Sequence, residues 1–239
     1  MKLLFLHNKE NWAVHNVGKL WFDDVTSHNI EYRNYKELET EFDFDQYDYI
    51  IWGFLFIHKK FDYLKPEKSI IVIHDPIEIF EELEQDPTVP NWEQLPMNPE
   101  RIKLLNSCKA VITISEQNQN VLEKNGVKAF VIPTMSLLPS IDAEDIKDES
   151  PKVISVYNEY PRKNTPLMME VYEESTKDLG VEFYLKIGSE ILSEEDYAKL
   201  LQRHNIYICT SYLEGGPIPA MDAMHQGCVV LTTDVGQMK

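Results

Sequence analysis

Two acidic residues with seven residues between them, Glu214 and Asp222, form the pattern in this chain with the clearest chemical meaning. Gly215, Gly216 and Pro217 follow the first acid and lead into a run that is compatible with a helix. Glycines let a backbone approach a ligand closely, and proline fits the first turn of a helix. Because a helix N-terminus offers free N–H groups and a partial positive charge, it can bind phosphate groups. The carboxylates could accept hydrogen bonds from sugar hydroxyls at Glu214 and from ribose hydroxyls at Asp222. The pattern therefore indicates a site for a nucleotide sugar.

The elements around this motif would hold it at one edge of a sheet. The apolar runs Ile206–Cys209 before it and Cys228–Thr232 after it are typical of buried strands. Between them, a helix that begins at Pro217 would end at Gly227, a residue type that often terminates helices. A strand, a glycine-containing loop and a helix in this order form an arrangement that proteins use to hold phosphates.

Strand-like and helix-like patterns alternate along the whole chain, which predicts an α/β fold with mostly parallel sheets. The strand-like runs are Leu3–Leu6, Ile30–Tyr32, Tyr49–Trp52, Ile70–Ile73, Ala110–Ile114, Phe130–Ile132, Val153–Val156, Val181–Ile187, Ile206–Cys209 and Cys228–Thr232. The helical patterns are Val17–Val25, Pro99–Asn106, Glu116–Asn125, Thr165–Thr176, Ser193–Arg203 and the segment from Pro217. Ser115 and Ser193 are good N-cap residues for two of these helices, and Gly126 is a good residue to end one.

An acidic stretch divides the chain in two. Residues 139–150 carry little that could be buried, which is typical of a linker between domains, although a surface loop within one domain would also fit. We therefore expect an N-terminal domain over residues 1–138 and a C-terminal domain over residues 151–239. The second series of elements stops at Lys239, where a complete domain of this kind would carry another strand and closing helices. The C-terminal domain is therefore expected to be short or truncated.

Composition and charge exclude several classes of function. The formal net charge of −17 leaves no basic footprint for a nucleic acid, so no nucleic-acid partner is expected. No apolar run approaches the roughly 20 residues of a membrane span. The apolar start Met1–Leu6 is too short for the apolar core of a signal peptide. Three cysteines cannot form a fully paired disulfide framework. These features predict a cytoplasmic protein with no transmembrane segment.

The motif resembles the acid–seven residues–acid motif of GT-B-fold glycosyltransferases, in particular the large retaining group called family 4, or glycosyl transferases group 1. The run Gly227–Gly236 is similar to the usual continuation of that motif in the group. The second acid of the group is usually Glu, whereas Asp222 keeps the charge on a shorter side chain. The resemblance covers the second half of the chain densely and the first half loosely, since residues 7–17 contain no glycine.

The resemblance implies which residues bind a sugar-nucleotide donor. The strand Val153–Val156 and the later Lys163 look like the first strand of the group's donor domain and its phosphate-binding lysine. The group often has an arginine where Asn158 stands, and Arg162 beside Lys163 could compensate. The implied donor-binding residues are Arg162, Lys163, Glu214, Gly215, Gly216, Pro217 and Asp222. Of these, Glu214 and Lys163 are also implied to be catalytic.

His74 is the implied catalytic residue of the first half. It follows Ile70–Ile73, which looks like the strand that delivers an active-site histidine in the group. A histidine that only caps a loop is an equally good alternative. Asp75 beside it and His7 at the end of the first strand would reach the same edge of the sheet. Together with Trp12, which stands in a loop-like segment, they are the candidate acceptor contacts.

The resemblance also implies a fold and a reaction. The fold would be GT-B-like, with two Rossmann-like domains that face each other across a cleft. The reaction would transfer a glycosyl unit, of hexosyl type, from a nucleotide-diphosphate sugar to an acceptor hydroxyl with retention. The fold requires no metal and no cofactor, and the run Asp43-Phe44-Asp45, which has the spacing of the metal-dependent class, precedes a strand rather than ending one. The acceptor, a glycan, a lipid-linked sugar or a protein, is left open.

Two alternatives to an active transferase are open at this point. The first is a catalytically inactive GT-B-like protein that binds sugar nucleotides or glycans or acts in assembly. The early C-terminus, Asn158 and Asp222 favour it. The second is a different α/β enzyme with a phosphate-binding helix, which would show no preference for sugar nucleotides over simple nucleotides.

Overall fold

The computed structural model of the chain describes residues 1–9, 13–23, 27–39, 41–60, 65–140, 150–157, 160–187 and 192–239. These residues form two compact units, Met1–Thr134 and Met135–Lys239. Residues 135–138, which the sequence placed in the first domain, therefore group with the second unit. Residues 141–149, most of the expected linker, lie outside the described part of the chain.

The first unit is built on a six-stranded sheet whose neighbouring strands are parallel. Its strands are β1 (Lys2–His7), β2 (Asn29–Asn34), β3 (Tyr49–Trp52), β4 (Ser69–Ile73), β5 (Ala110–Thr113) and β6 (Phe130–Val131). Its α-helices are α1 (Ala13–Phe22), α2 (Glu81–Gln85), α3 (Pro99–Ser107) and α4 (Glu116–Lys124). The strands lie in the order β2-β1-β3-β4-β5-β6.

The core of the first unit follows from the apolar composition of its central strands. Phe5, Ile51, Val72 and Ile112, one residue from each of four adjacent strands, are buried in one cluster with Val14 of α1. Helices on the faces of a parallel sheet bury both sides of its central strands, which is why those strands are nearly continuous apolar runs.

The strand order of the first unit creates a topological switch point between β1 and β3. The chain moves outwards from β1 to β2 and then returns to β3 on the other side of β1. In open α/β sheets, ligands bind outside the carboxyl ends of the strands at such a point. His7 ends β1 there, Gly53 follows β3, and His74 follows the neighbouring strand β4.

The second unit is built on a four-stranded parallel sheet. Its strands are β7 (Lys152–Tyr157), β8 (Glu182–Ile187), β9 (Ile206–Cys209) and β10 (Val229–Thr232). Its α-helices are α5 (Thr165–Asp178), α6 (Glu194–Gln202) and α7 (Ile218–His225). Since the strand order is β10-β9-β7-β8, this sheet has its switch point between β7 and β9. The loops that leave these two strands carry the candidate donor residues.

The segment at the start of the second unit packs onto the helix that follows the acidic motif. Leu138 lies against the apolar cluster that includes Leu201 and Ala220. The side-chain amide of Gln226 donates a hydrogen bond to the Pro139 carbonyl at 3.0 Å. These interactions explain why the division between the units falls before this segment.

The predicted strands are confirmed, and the helices differ mainly at their ends. Helix α1 begins at Ala13 rather than Val17, because Val14 and His15 already belong to the buried part of the unit. Ser115 and Ser193 cap their helices through side-chain hydrogen bonds, as expected. No helix in the described ranges has both the length and the apolar character needed to cross a membrane.

Candidate functional site

The carboxylate of Glu214 is the centre of a buried polar cluster at the switch point of the second sheet. Only 5% of this residue is exposed. One carboxylate oxygen accepts hydrogen bonds from Lys163 Nζ and from Ser211 Oγ, the latter at 2.9 Å. The other oxygen lies 3.3 Å from a guanidinium nitrogen of Arg162. Three residues that the sequence assigned to one site, Glu214, Lys163 and Arg162, are therefore in direct contact.

Hydrogen bonds to backbone carbonyls join the two loops that carry these side chains. A short 3-10 helix, Pro161–Lys163, follows β7, and Asn164 after it adopts the left-handed conformation with φ of 53°. The Tyr212 N–H donates to the Arg162 carbonyl at 2.8 Å, and Thr210 Oγ1 donates to the Lys163 carbonyl at 3.1 Å. The loops after β7 and β9 are thus fixed to each other, which holds the cations against Glu214.

Gly236 supports the same loop and was not assigned a role from the sequence. Its φ is +54°, and a Cβ atom there would lie 2.2 Å from the Gly215 carbonyl oxygen and 2.5 Å from that of Glu214. The next residue, Gln237, donates its N–H to the Gly215 carbonyl at 3.0 Å. The signal was present in the sequence as the last residue of the run Gly227–Gly236, but no spacing rule connects it to the acidic motif.

The start of α7 presents backbone donors beside this cluster. The N–H groups of Ala220 and Met221 are already bonded to the Pro217 carbonyl. In contrast, the N–H groups of Gly216 and Ile218 have no hydrogen-bond partner within the described residues. Together with the partial positive charge of the helix N-terminus, they form a local attraction for an anion.

The N–H of Gly215 is a further backbone donor, also without a partner in the described part of the chain. Neither Gly215 nor Gly216 has a positive φ. The two glycines are therefore not required by a left-handed backbone conformation of the loop.

A small pocket opens between the two loops and the helix start. It encloses about 50 Å³. That volume exceeds the roughly 10–15 Å³ that one water molecule needs, so water can enter the pocket. Its lining includes Ser155, Lys163, Thr210, Ser211, Pro217 and Pro219. The predicted donor residues Lys163 and Pro217 thus face one pocket.

Asp222 is placed differently from the other donor-site residues. It is buried in α7, and its Oδ1 accepts a hydrogen bond from Ser136 Oγ at 2.7 Å. Burial raises the pKa of the Asp222 carboxyl to about 6, although the Ser136 hydrogen bond acts in the opposite direction. The described residues that line the pocket do not include Asp222. The structure therefore brings Glu214, Lys163 and Arg162 together and gives Asp222 a separate partner.

His74 lies in an aromatic environment at the switch point of the first sheet. Its ring stacks on that of Trp21 with 6.4 Å between centroids and 7° between planes, and the Phe54 ring is 5.6 Å away. Burial lowers the pKa of His74 to about 4, while a hydrogen bond with the Gly53 backbone opposes this shift. The imidazole is therefore neutral at physiological pH.

The candidate acceptor contacts have different surroundings. His7 is only 2% exposed. The centroid of its ring lies 4.4 Å from the centroid of the His15 ring. The Asp75 carboxylate accepts the Ile77 N–H at 3.2 Å and caps the short helix Pro76–Glu78. This cap is the turn-forming role expected of an acid before proline. Trp12 lies outside the described residues.

No group of three or more His, Cys, Asp and Glu side chains in the described part of the chain is arranged to hold a metal ion. The polar cluster around Glu214 consists of one acid, two cations and a hydroxyl. Such a cluster can bind an anion through its cations and backbone amides, and hydroxyl groups through its carboxylate.

Comparison with known proteins supports the resemblance. The family model "Glycosyl transferases group 1" matches residues 189–239, which include the acidic motif, α7 and β10. Among solved structures, S. aureus TarM, a mutant in complex with Fondaparinux, alpha-GlcNAc-glycerol and UDP, is 16% identical with a TM-score of 0.55. The match covers 78% of this chain and 41% of TarM.

Two further structures have the same fold. Pneumococcal O-GlcNAc transferase GtfA, in complex with UDP and GlcNAc, is 14% identical to this chain with a TM-score of 0.52. The match covers 78% of this chain and 42% of GtfA. The other is an alpha,alpha-trehalose-phosphate synthase (UDP-forming) from Burkholderia vietnamiensis, which is 9% identical with a TM-score of 0.64. That match covers 100% of this chain and 86% of the synthase. No curated protein sequence matches the chain.

These comparisons define the class of fold. The two parallel sheets and the similar structures are those of GT-B glycosyltransferases, and the second unit carries the sequence match to glycosyl transferases group 1. The chain spans less than half the length of TarM and of GtfA.

Proposed function

We propose that the chain binds a nucleotide-diphosphate sugar in its second unit and transfers the glycosyl unit to an acceptor hydroxyl. The observation that carries this proposal is the contact of Glu214 with Lys163 and Arg162 beside the start of α7. Two cations, a carboxylate and amides that have no partner among the described residues meet at the switch point of the sheet, where open α/β folds bind ligands.

The diphosphate would bind to the N–H groups of Gly215, Gly216 and Ile218 and to the two cations. These cations contact Glu214 in the structure, so a diphosphate would have to draw them away. Once its ionic partners turn to the phosphates, the Glu214 carboxylate is able to accept hydrogen bonds from sugar hydroxyls. Binding of the anion would thereby prepare the site for the sugar.

The proposed reaction replaces one bond of the anomeric carbon. Its bond to the diphosphate oxygen breaks, a bond to the acceptor oxygen forms on the same face, and the acceptor proton passes to the leaving diphosphate. Lys163 and the backbone amides stabilise the negative charge that develops on the diphosphate. Positioning and charge stabilisation of this kind require no metal ion or cofactor, and we propose a metal-independent, retaining, hexosyl-type transfer.

The first unit would contribute acceptor contacts. His74 is the proposed catalytic residue there, and Asp75, His7 and Trp12 are the proposed contacts of the acceptor. The neutral imidazole of His74 is able to accept a hydrogen bond from a hydroxyl on one nitrogen. A glycan, a lipid-linked sugar and a protein hydroxyl are the acceptor classes to be tested.

The choice of nucleotide is supported by the names of the similar structures. TarM and GtfA were solved with UDP, and the trehalose-phosphate synthase is described as UDP-forming. UDP-sugars are therefore the first donors to test, followed by GDP- and ADP-sugars.

Isothermal titration against this panel of donors tests the proposal. Lys163→Ala should weaken binding of the preferred donor by roughly 10- to 100-fold, because a charge-assisted hydrogen bond to phosphate is removed. Lys199→Ala is the matched control, since Lys199 pairs with Glu195 on exposed α6 and should leave the affinity unchanged. Absence of binding to every donor in the panel would reject the proposal.

A second candidate function is a non-catalytic protein that binds sugar nucleotides or glycans. The hydrogen bond from Ser136 to Asp222 favours it, because the second acid of the motif already has a partner in the protein. Product analysis over a broad acceptor array separates the two candidates. Donor binding without hydrolysis or transfer supports the second one, whereas transfer that disappears in Glu214→Ala supports the first.

A further inference from the structure

A buried glutamate, Glu78, connects the loops that follow two neighbouring strands of the first sheet. Only 1% of the residue is exposed. Its Oε1 accepts the N–H groups of His74 at 2.8 Å and of Asp75 at 3.1 Å. Its Oε2 accepts the N–H of Leu55, which follows β3, at 2.8 Å. One side chain therefore holds three backbone amides from two loops.

These hydrogen bonds exceed what a helix cap requires. In a capping box, the side chain of the third helical residue needs to reach only the N-cap backbone, here that of Asp75. The additional bonds to His74 and Leu55 fix the ends of β4 and β3 relative to each other. Burial raises the pKa of Glu78 to about 8, and the three N–H donors act in the opposite direction.

The same loops define the position of the His74 ring. The ring stacks on Trp21 and lies beside Phe54, and the nearby Gly53 backbone acts to raise its pKa. Gly53 in turn donates its N–H to the Leu6 carbonyl at 3.0 Å, and a Cβ at this glycine would lie 2.5 Å from that oxygen. Through Glu78 and Gly53, the loop that carries His74 is thus linked to the ends of β3 and β1.

One nitrogen of this imidazole is buried and has no hydrogen-bond partner among the described residues. It is Nε2 of His74. A buried polar atom without a partner is unfavourable, so a ligand that supplies the partner gains affinity. Whether a ligand can form a hydrogen bond with this nitrogen depends on where the backbone of His74 places the ring.

We propose that Glu78 is a positioning residue that sets the place of His74 and thereby where its Nε2 is presented. Glu78 does not itself touch the ligand. It acts by holding the His74 and Leu55 amides, so that the ring stays between Trp21 and Phe54. The consequence for glycosyl transfer rests on the function proposed above, whereas the effect on the His74 ring does not.

Glu78→Gln in the full chain tests this proposal. The amide has nearly the same shape, but its NH₂ group would face a backbone N–H, so the variant loses the hydrogen bonds on one side of the carboxylate. We expect the nuclear Overhauser signals between the His74 and Trp21 rings to weaken or disappear. Glu82→Gln, an exposed substitution of the same type on α2, is the matched control and should keep them.

The kinetic readout applies to the donor and acceptor that the wild type accepts. For Glu78→Gln we expect kcat to fall on the order of 10- to 100-fold, since small displacements of a reacting group have effects of that size. The donor affinity should stay within about twofold, because the three amides that Glu78 binds belong to no donor-binding residue. If the wild type shows no transfer while Glu78→Gln abolishes the Overhauser signals between the rings, the proposed function is rejected and the role of Glu78 stands.

Two results would overturn the inference. One is a folded Glu78→Gln variant whose His74 ring signals coincide with those of the wild type. The other is a hydrogen-exchange result on the wild-type protein, which can be obtained even if the variant does not fold. If the amides of Leu55, His74 and Asp75 exchange their hydrogens as fast as open loop amides, then Glu78 does not hold them.

Discussion

Glu214 is a buried carboxylate whose charge is compensated by two cations and a hydroxyl. Removing one partner of a buried ion pair is more costly than replacing the whole pair, because the other charge is left without compensation. Lys163 is 20% exposed and Arg162 29% exposed by side chain, so the cations can turn towards a ligand while Glu214 stays buried. This difference in exposure is what makes an exchange of partners feasible.

Glu214→Gln should separate donor binding from transfer. The neutral amide holds Lys163 and Arg162 less strongly, so we expect the affinity for UDP without its sugar to stay equal or to increase. Transfer should fall on the order of 100-fold or more, because the interaction with the sugar is weakened in the transition state. Titration calorimetry and a product assay give the two values.

The control for that substitution is Glu195→Gln, which alters an exposed Glu–Lys pair on α6 with 2.6 Å between its charged atoms. It should change neither quantity. A clear loss of UDP affinity in Glu214→Gln would mean that Glu214 is not competing with the phosphates for the cations.

Asp222→Asn should change how stability depends on pH. The pKa of Asp222 is raised from 3.8 to about 6, so the folded protein favours the protonated acid. The stability that this group contributes is full below pH 3.8 and is lost as the pH rises through about 6, a total of about 3 kcal/mol. The neutral amide removes this loss and keeps an oxygen for the Ser136 hydroxyl.

Thermal unfolding at pH 5 and at pH 7.5 measures this effect. The advantage of Asp222→Asn over the wild type should be larger at the higher pH. Asp178→Asn, on the exposed end of α5, serves as the control and should show no such trend. If Asp222→Asn and the wild type differ in melting temperature by the same amount at both pH values, the pKa of Asp222 is not raised in the folded protein.

Among single residues, the sequence assigned Glu214 and Lys163 to one site but did not predict the surroundings of Asp222. A spacing of seven residues fixes how far apart two acids are along the chain, and it does not fix the direction of the second side chain around a helix. Ser136, which binds Asp222, precedes it by 86 residues. The three amides held by Glu78 are likewise a tertiary feature without a local sequence pattern.

At the scale of elements, the site depends on two loops and one helix start. The strands around them were predictable because their apolar runs are short and are bounded by turn residues. The strand order was not predictable from these runs, since consecutive strands are not always neighbours: β1 pairs with β3, and β7 pairs with β9. The order places β7 beside β9, and that neighbourhood brings the loop of Lys163 to the loop of Glu214.

Gly236→Ala should damage the donor site through its backbone. The methyl group would lie 2.2 Å from the Gly215 carbonyl, so the loop of Glu214 has to move. We expect UDP affinity to fall by at least about tenfold if one hydrogen bond to phosphate is removed. The melting temperature should decrease as well, because alanine is strained at this φ of +54°.

Gly180→Ala is the matched control for backbone strain alone. Its φ is +62°, and no atom lies within 4 Å of the added Cβ. It should lower the melting temperature by the strain while UDP affinity stays at the wild-type value. If both variants bind UDP as the wild type does, the close approach of Gly236 to the Glu214 loop does not support the site.

At the scale of the whole molecule, the net charge of −17 and the local cations have opposite effects on an anionic ligand. The long-range field repels nucleic acids and other polyanions, which need an extended basic surface. A small diphosphate can still bind, because Lys163, Arg162 and the amides at the start of α7 act over short distances.

The alternation of apolar strands and helices along the whole chain predicted the α/β class. The exact division between the units at Thr134 depends on tertiary packing, which the sequence pattern does not contain.

No measurable binding to nucleic acid is expected. Fluorescence anisotropy with labelled single- and double-stranded DNA at low salt should give no saturable signal below roughly 100 µM protein, the weak end of non-specific binding. UDP titrated in the same buffer is the positive control. Saturable, salt-sensitive DNA binding would mean that the protein has a basic surface despite its negative net charge, and would contradict this prediction.

A crystal structure of the full chain with UDP bound would locate the proposed donor site directly. We expect diphosphate oxygens within hydrogen-bond distance of Lys163 Nζ and of the N–H groups of Gly216 and Ile218. The ion pair between Lys163 and Glu214 should then be broken, with the Glu214 carboxylate free to accept from a sugar. A diphosphate that binds elsewhere, with the Lys163–Glu214 pair unchanged, would contradict a donor site at Lys163, Glu214 and the start of α7.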